Sequence, residues 1–215
     1  IAAIISLIAQ WRVNSAFSKY SRVASMSGMT GAQAARMILQ SNGINDVSVQ
    51  RISGKLTDHY NPSTKVLNLS ESVYGSTSVA AIGVAAHECG HAIQHARGYF
   101  PLSLRTALVP VANIGSQLSW VFIIVSFNQT LITIGIIMFS AAVLFQLVTL
   151  PVEFNASARA LEQLESNGIL YRDEVSQTRK VLSAAALTYV AAAATAILQL
   201  LRLIILFGGR GRRDD

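Results

Sequence analysis

The chain has 215 residues, 52% hydrophobic and only 13% charged, with a formal net charge of +6. Such a composition is too apolar for a soluble domain of this length, so the surplus is expected to face lipid. The basic excess has no interleaved aromatics and no nucleic-acid motif, which argues against a nucleic-acid partner, and a single cysteine, Cys89, rules out an internal disulfide.

In chain order, "IAAIISLIAQW" opens without an initiator Met and reads as the end of a first membrane span (1–11), closed by Trp11 and Arg12, with the natural start expected upstream. A basic, Ser-rich stretch follows to Gly28. Thr30 then caps a short helix that Gly43 ends. "VSVQRI" alternates like a strand, and "KLTDHYNPSTKVLNLS" reads as two extended segments about the turn residues Asn61 and Pro62, giving a small sheet. From Thr77 or Ser78, "VAAIGVAAHECGHAIQHAR" runs helically to Gly98 and is small or apolar nearly all round, so it is expected to be buried. Residues 12–106 thus form a catalytic region. Residues 107–150 are almost uncharged, broken only by the polar "FNQT", and predict a transmembrane hairpin. Residues 151–182 are polar and helical, 183–207 predict another span, and 208–215 form a charged tail. The fold class is therefore a mainly α polytopic membrane protein of about four spans with a small α+β catalytic region. Lys and Arg near the span ends favour an integral plasma-membrane protein with its catalytic side cytoplasmic, although the tail opposes this bias.

The chemistry concentrates at His87, Glu88 and His91, an HExxH sequence. Four residues along a helix return to nearly the same face, so both imidazoles can address one ion. Glu88 projects beside them, where a carboxylate can take a proton from water. A hydrogen-bonded histidine pair or a proton relay is the competing reading, but two His and a Glu in a helix of Ala, Gly and Val are costly unless paired. Zinc (Zn2+) is therefore the expected cofactor.

The third ligand is sought outside this helix. His95 lies about 12 Å of helical rise beyond His87, too far to share the ion, and suits a supporting or capping role. Gln94 and Arg97 stand where a metzincin needs Gly and His, which excludes that class. His59, in a turn, has no spacing argument in its favour. Glu153, just after Pro151 at a span end, is the better candidate, against the alternative of a solvated acid at a helix start.

"TDHYNPSTKVLNLSESVYG", "AAHECGHAIQHA", "LPVEFNASARA" and "TRKVLSAAALTYVAAA" together resemble the YugP-like family of neutral zinc metallopeptidases over nearly the whole chain. More distantly, HExxH with a later "EFxA" is similar to HtpX and the CAAX-prenyl proteases, which are gluzincins. The resemblance implies His87, His91 and Glu153 as zinc ligands and Glu88 as general base. Ser157 replaces the Asp usual in the distant relatives, so support for a ligand histidine must come from elsewhere or be weaker.

The leading reading is a membrane-embedded zinc endopeptidase acting on a peptide or membrane-protein substrate, in contact with the lipid bilayer. "TKVLNLS" would offer a strand edge to that substrate, and Arg179 and Tyr189 are candidate oxyanion donors. Arg179 reads equally as a positive-inside anchor and Tyr189 as a packed aromatic. The alternative is a membrane scaffold with a structural zinc; a channel ranks last, because 107–150 offers almost no polar lining. Small residues in "AAALTYVAAAATA" would allow packing within the chain, in a homo-oligomer or in a membrane complex.

Overall fold

The structure is a computed structural model that describes residues 2–125 and 129–207. It is mainly helical with one small sheet. The elements are α1 (Ala2–Tyr20), α2 (Gly31–Ser41), β1 (Ser48–Ile52), β2 (His59–Asn61), β3 (Val66–Ser70), α3 (Glu71–Tyr74), α4 (Val79–Ala96), α5 (Phe100–Val125), α6 (Gln129–Ser166) and α7 (Arg172–Phe207).

Local signals account for the short elements. Thr30 accepts from the Gln33 N–H while the Gln33 side chain accepts from the Thr30 N–H, a reciprocal capping box that starts α2. Ser78 accepts from the Ala81 N–H to start α4, and Gly98, at φ +60°, lets the chain leave it.

The sheet order is β1-β3-β2, with β3 parallel to β1 and antiparallel to β2. This corrects the expectation for "TKVLNLS". The strand it forms, β3, is central, its two edges are already paired, and β2 is the edge strand beside α4.

Helix α4 is the centre of the molecule. It is wedged among α2, α6 and α7, and most of its residues are buried. A Cβ at Gly90 would sit 2.4 Å from the Ala156 carbonyl oxygen of α6, and one at Gly83 would sit 2.6 Å from the Thr178 side chain of α7. The small residues of α4 therefore serve close backbone approach, which carries its histidines to the surface of α6. The main core joins Ile38, Leu67, Leu69, Ile82, Ile93 and Leu164 from α2, β3, α4 and α6.

The long helices cross several expected boundaries. α1 continues past Arg12 to Tyr20, α6 runs unbroken through Pro151, and α7 joins the polar 172–182 stretch to the apolar stretch after it. Among the described residues two helices are long and apolar enough to cross a membrane, Thr130–Ser166 and Arg172–Phe207. α1 and α5 are helical where the other two spans were expected but are not of that class, so the count of four narrows to two candidates. Phe127 and Asn128 of the "FNQT" turn and the tail 208–215 lie outside the described residues.

Candidate metal centre

α4 presents His87 and His91 one turn apart, with ring centroids 4.8 Å apart in an edge-to-face arrangement. Across the α4–α6 contact, Glu153 Oε2 lies 3.2 Å from His87 Nε2 and 3.6 Å from His91 Nε2. Glu153 is only 2% exposed. Because α6 is continuous at Pro151, Glu153 is a buried mid-helix residue, and the reading of a solvated helix-start acid is set aside. A carboxylate so buried costs several kcal/mol unless compensated, and its partners are the two imidazoles and Arg105, whose Nη1 is 3.7 Å from Oε1.

The three side chains fit a zinc ion. Their ligand atoms lie within 4.8 Å of one another. Tetrahedral zinc with bonds of about 2.0–2.1 Å separates its ligand atoms by roughly 3.4 Å, close to the two distances to Glu153. The outer ring nitrogens are also held. Ser157 Oγ is 3.1 Å from His87 Nδ1, and Gln94 Oε1 is 3.1 Å from His91 Nδ1. With those nitrogens donating, both Nε2 lone pairs converge on the point that Glu153 Oε2 faces. Ser157, the departure from the distant relatives, thus supports His87 itself, with a neutral hydroxyl in place of a carboxylate.

Electrostatics follow the same geometry. Burial pulls the His91 pKa down, but the nearby Glu153 and Glu88 carboxylates outweigh it, and the pKa is raised. Asp58, near Glu88, is raised chiefly by burial even though it accepts from both the N–H and the hydroxyl of Ser70.

Glu88 projects beside the pair. Its Oε2 accepts from the N–H of Tyr60, 2.9 Å away, which β2 turns outward from the sheet. Glu88, His91, Glu153, Asp58, Tyr60, Arg105 and Tyr189 line one cavity of about 320 Å³. A second, of about 260 Å³, lies on the α1 and α7 side of His87 and Glu88 and is lined largely by apolar residues such as Phe17, Val84 and Leu182.

Of the other candidates, Tyr189 lines both cavities. Arg179 lines a different one, with Phe154, Ser157 and Leu161, and is not brought to the cluster beside Glu88. His95 bonds the Tyr60 hydroxyl through Nδ1 at 2.8 Å. His59 lines the main cavity, but both its ring nitrogens are engaged, by the Thr57 carbonyl and the Asn68 amide. Sequence reasoning missed Arg105, which it counted only among the basic residues near span ends, and Gln94, which it used only to exclude a metzincin. No spacing signal marks Arg105, since it arrives from α5 through tertiary packing.

A His-His-Glu set on two helices, with His91 and Glu153 buried and a further carboxylate beside it, defines a centre that could hold a metal ion. The chain belongs to the family described as "Putative neutral zinc metallopeptidase", whose model matches residues 1–208. It is 50% identical over 211 residues to "Putative membrane protease YugP" of Bacillus subtilis (strain 168), covering 96% of this chain and 94% of that protein. No solved structure matches. Zinc is the metal of the family, and His87, His91 and Glu153 are the group among the described residues able to hold it.

Proposed function

We propose that the chain is a membrane-embedded zinc endopeptidase that hydrolyses peptide bonds in membrane or membrane-proximal proteins. The observation that carries this reading is the convergence of His87 Nε2, His91 Nε2 and Glu153 Oε2 beside Glu88, at a cavity edged by a β-strand.

His87, His91 and Glu153 would hold the zinc ion, which when bound would supply Lewis acidity toward the scissile carbonyl and the attacking water. Glu88 accepts the water proton and delivers it to the leaving amine, its carboxylate aimed by the Tyr60 N–H. Tyr189 faces the cavity as donor to the developing oxyanion, and Arg105 balances the buried charge of Glu153. An extended peptide pairs along β2, the edge strand at the cavity, and its apolar side chains suit the neighbouring space between α1 and α7.

In this reading α1 and α5 join α6 and α7 in the bilayer. The exposed Leu7, Ile8 and Trp11 of α1 and Val111, Ile114 and Leu118 of α5 support that placement, because lipid is the solvent in which such faces cost nothing. The same faces suit packing against a second copy or another membrane protein. The catalytic side is cytoplasmic, on the Lys and Arg bias.

The test is cleavage of an unfolded protein or peptide by detergent-purified chain, with bound zinc measured in parallel. Glu88→Gln keeps an acceptor for the Tyr60 N–H but no basic oxygen, so turnover is expected to fall by about 10² to 10⁴ with zinc retained. Glu153→Gln is expected to lose zinc. A Glu88→Gln variant that cuts at the wild-type rate overturns the mechanism. Zinc binding with no cleavage by any form favours a scaffold with structural zinc instead.

A further inference from the structure

Gln94 is fully buried, 0% exposed, one turn beyond His91 on α4. Its hydrogen bonds run to His91 and to α6 residues on either side of Glu153. Its Nε2 donates to the Val152 carbonyl at 2.8 Å and to Asn155 Oδ1 at 3.0 Å, and its Oε1 faces His91 Nδ1 at 3.1 Å.

The orientation of this amide is dictated from both sides. A backbone carbonyl only accepts, so the group facing Val152 must be the NH₂. A guanidinium only donates, and Arg159 Nε is 2.8 Å from Asn155 Oδ1, so Asn155 also turns its oxygen toward Gln94. Both anchors leave Gln94 Oε1 for His91. An oxygen facing a ring nitrogen needs a proton there, so Gln94 favours the hydrogen on His91 Nδ1, which leaves Nε2 as the nitrogen that would bind zinc. His87 is held differently. Its Nδ1 meets the hydroxyl of Ser157, which can donate or accept and imposes no tautomer.

We propose that Gln94 is a positioning residue of the metal centre. It fixes His91 as the Nδ1–H tautomer, aims its Nε2, and ties it to the peptide immediately before Glu153, so that the ligands of α4 and α6 are set in register by one side chain. This rests on the reading of His87, His91 and Glu153 as zinc ligands.

Two substitutions separate this role from mere packing. Gln94→Met keeps the volume but offers His91 no strong acceptor. Gln94→Glu keeps the acceptor but loses the two donors to α6. Zinc affinity, measured by competition with a chelator, and the visible absorption of the cobalt-substituted protein are the readouts. Met is expected to weaken zinc by about 10- to 100-fold and alter the cobalt spectrum, whereas Glu, which loses the tie to α6 but keeps the acceptor at His91 Nδ1, is expected to weaken it less and leave the spectrum unchanged. Equal losses in both variants, or none in Met, overturn the proposal. If neither variant folds, ¹⁵N spectra of the zinc-loaded wild type labelled at histidine decide the matter. His91 protonated at Nδ1 supports the assignment, and protonation at Nε2 overturns it. A wild type that takes up no zinc overturns the metal-centre reading itself, which is distinguishable from a wild type that binds zinc with its variants unaffected.

Discussion

Two side chains that entered as equals, Tyr189 and Arg179, part company in space. Tyr189 reaches the cavity that holds Glu88 and Glu153, whereas Arg179 lines a cavity reached past Ser157. If Tyr189 donates to the oxyanion, Tyr189→Phe should cost about 10²-fold in kcat or more while zinc content is unchanged, because only the transition-state hydrogen bond is lost. Arg179→Ala should leave peptide turnover near wild type. Steady-state kinetics on the two variants with one substrate check both statements, and the reverse pattern would move the oxyanion donor to Arg179. Glu153 illustrates a burial that sequence reasoning reached by cost alone. A carboxylate at a span end needed a positive partner, and it has two imidazoles and a guanidinium, of which only the histidines were legible.

At the scale of elements, the metal centre depends on how closely α4 and α6 approach. Gly90 makes that approach, and its surroundings are the backbone of Ala156, which cannot move aside as a flexible side chain would. Gly90→Ala should therefore push the helices apart, lower stability by about 1–3 kcal/mol and weaken zinc binding, even though alanine is the better helix former. Thermal unfolding with and without zinc measures this. A variant as stable as wild type, with equal zinc content, would mean that the contact is not limiting. The caps at Thr30 and Ser78, the turn at Asn61 and Pro62, and the exit at Gly98 were readable because each is set by neighbours in sequence. Sheet order was not. A strand's place between two partners depends on where the parallel crossover from β1 returns, and "VLNLS" looks the same at an edge as at the centre.

For the whole molecule, the division between a buried core around α4 and lipid-suited faces on the long helices places the site where helices leave the apolar stretches. The proposed orientation can be tested directly, because the native Cys89 is buried and silent. Ser63, exposed in the β2–β3 turn beside the cavity, is a suitable reporter. Ser63→Cys should react with a membrane-impermeant maleimide in inverted vesicles and not in intact cells. Labelling of intact cells would put the catalytic side outside.

The sequence by itself determined the HExxH spacing, the apolar stretches and the short-range caps and turns, because each is written in residues close along the chain or in composition. It also pointed to Glu153, through the cost of a charge beside a span. Tertiary structure alone decided that β2 rather than β3 edges the cavity, that Arg105 joins Glu153, that Tyr189 and not Arg179 shares the cavity of Glu88, and that Gln94 and Ser157 hold the outer nitrogens of the histidines. These contacts join residues up to 70 positions apart, and they exist only because small residues let α4 pack against its neighbours at backbone distance.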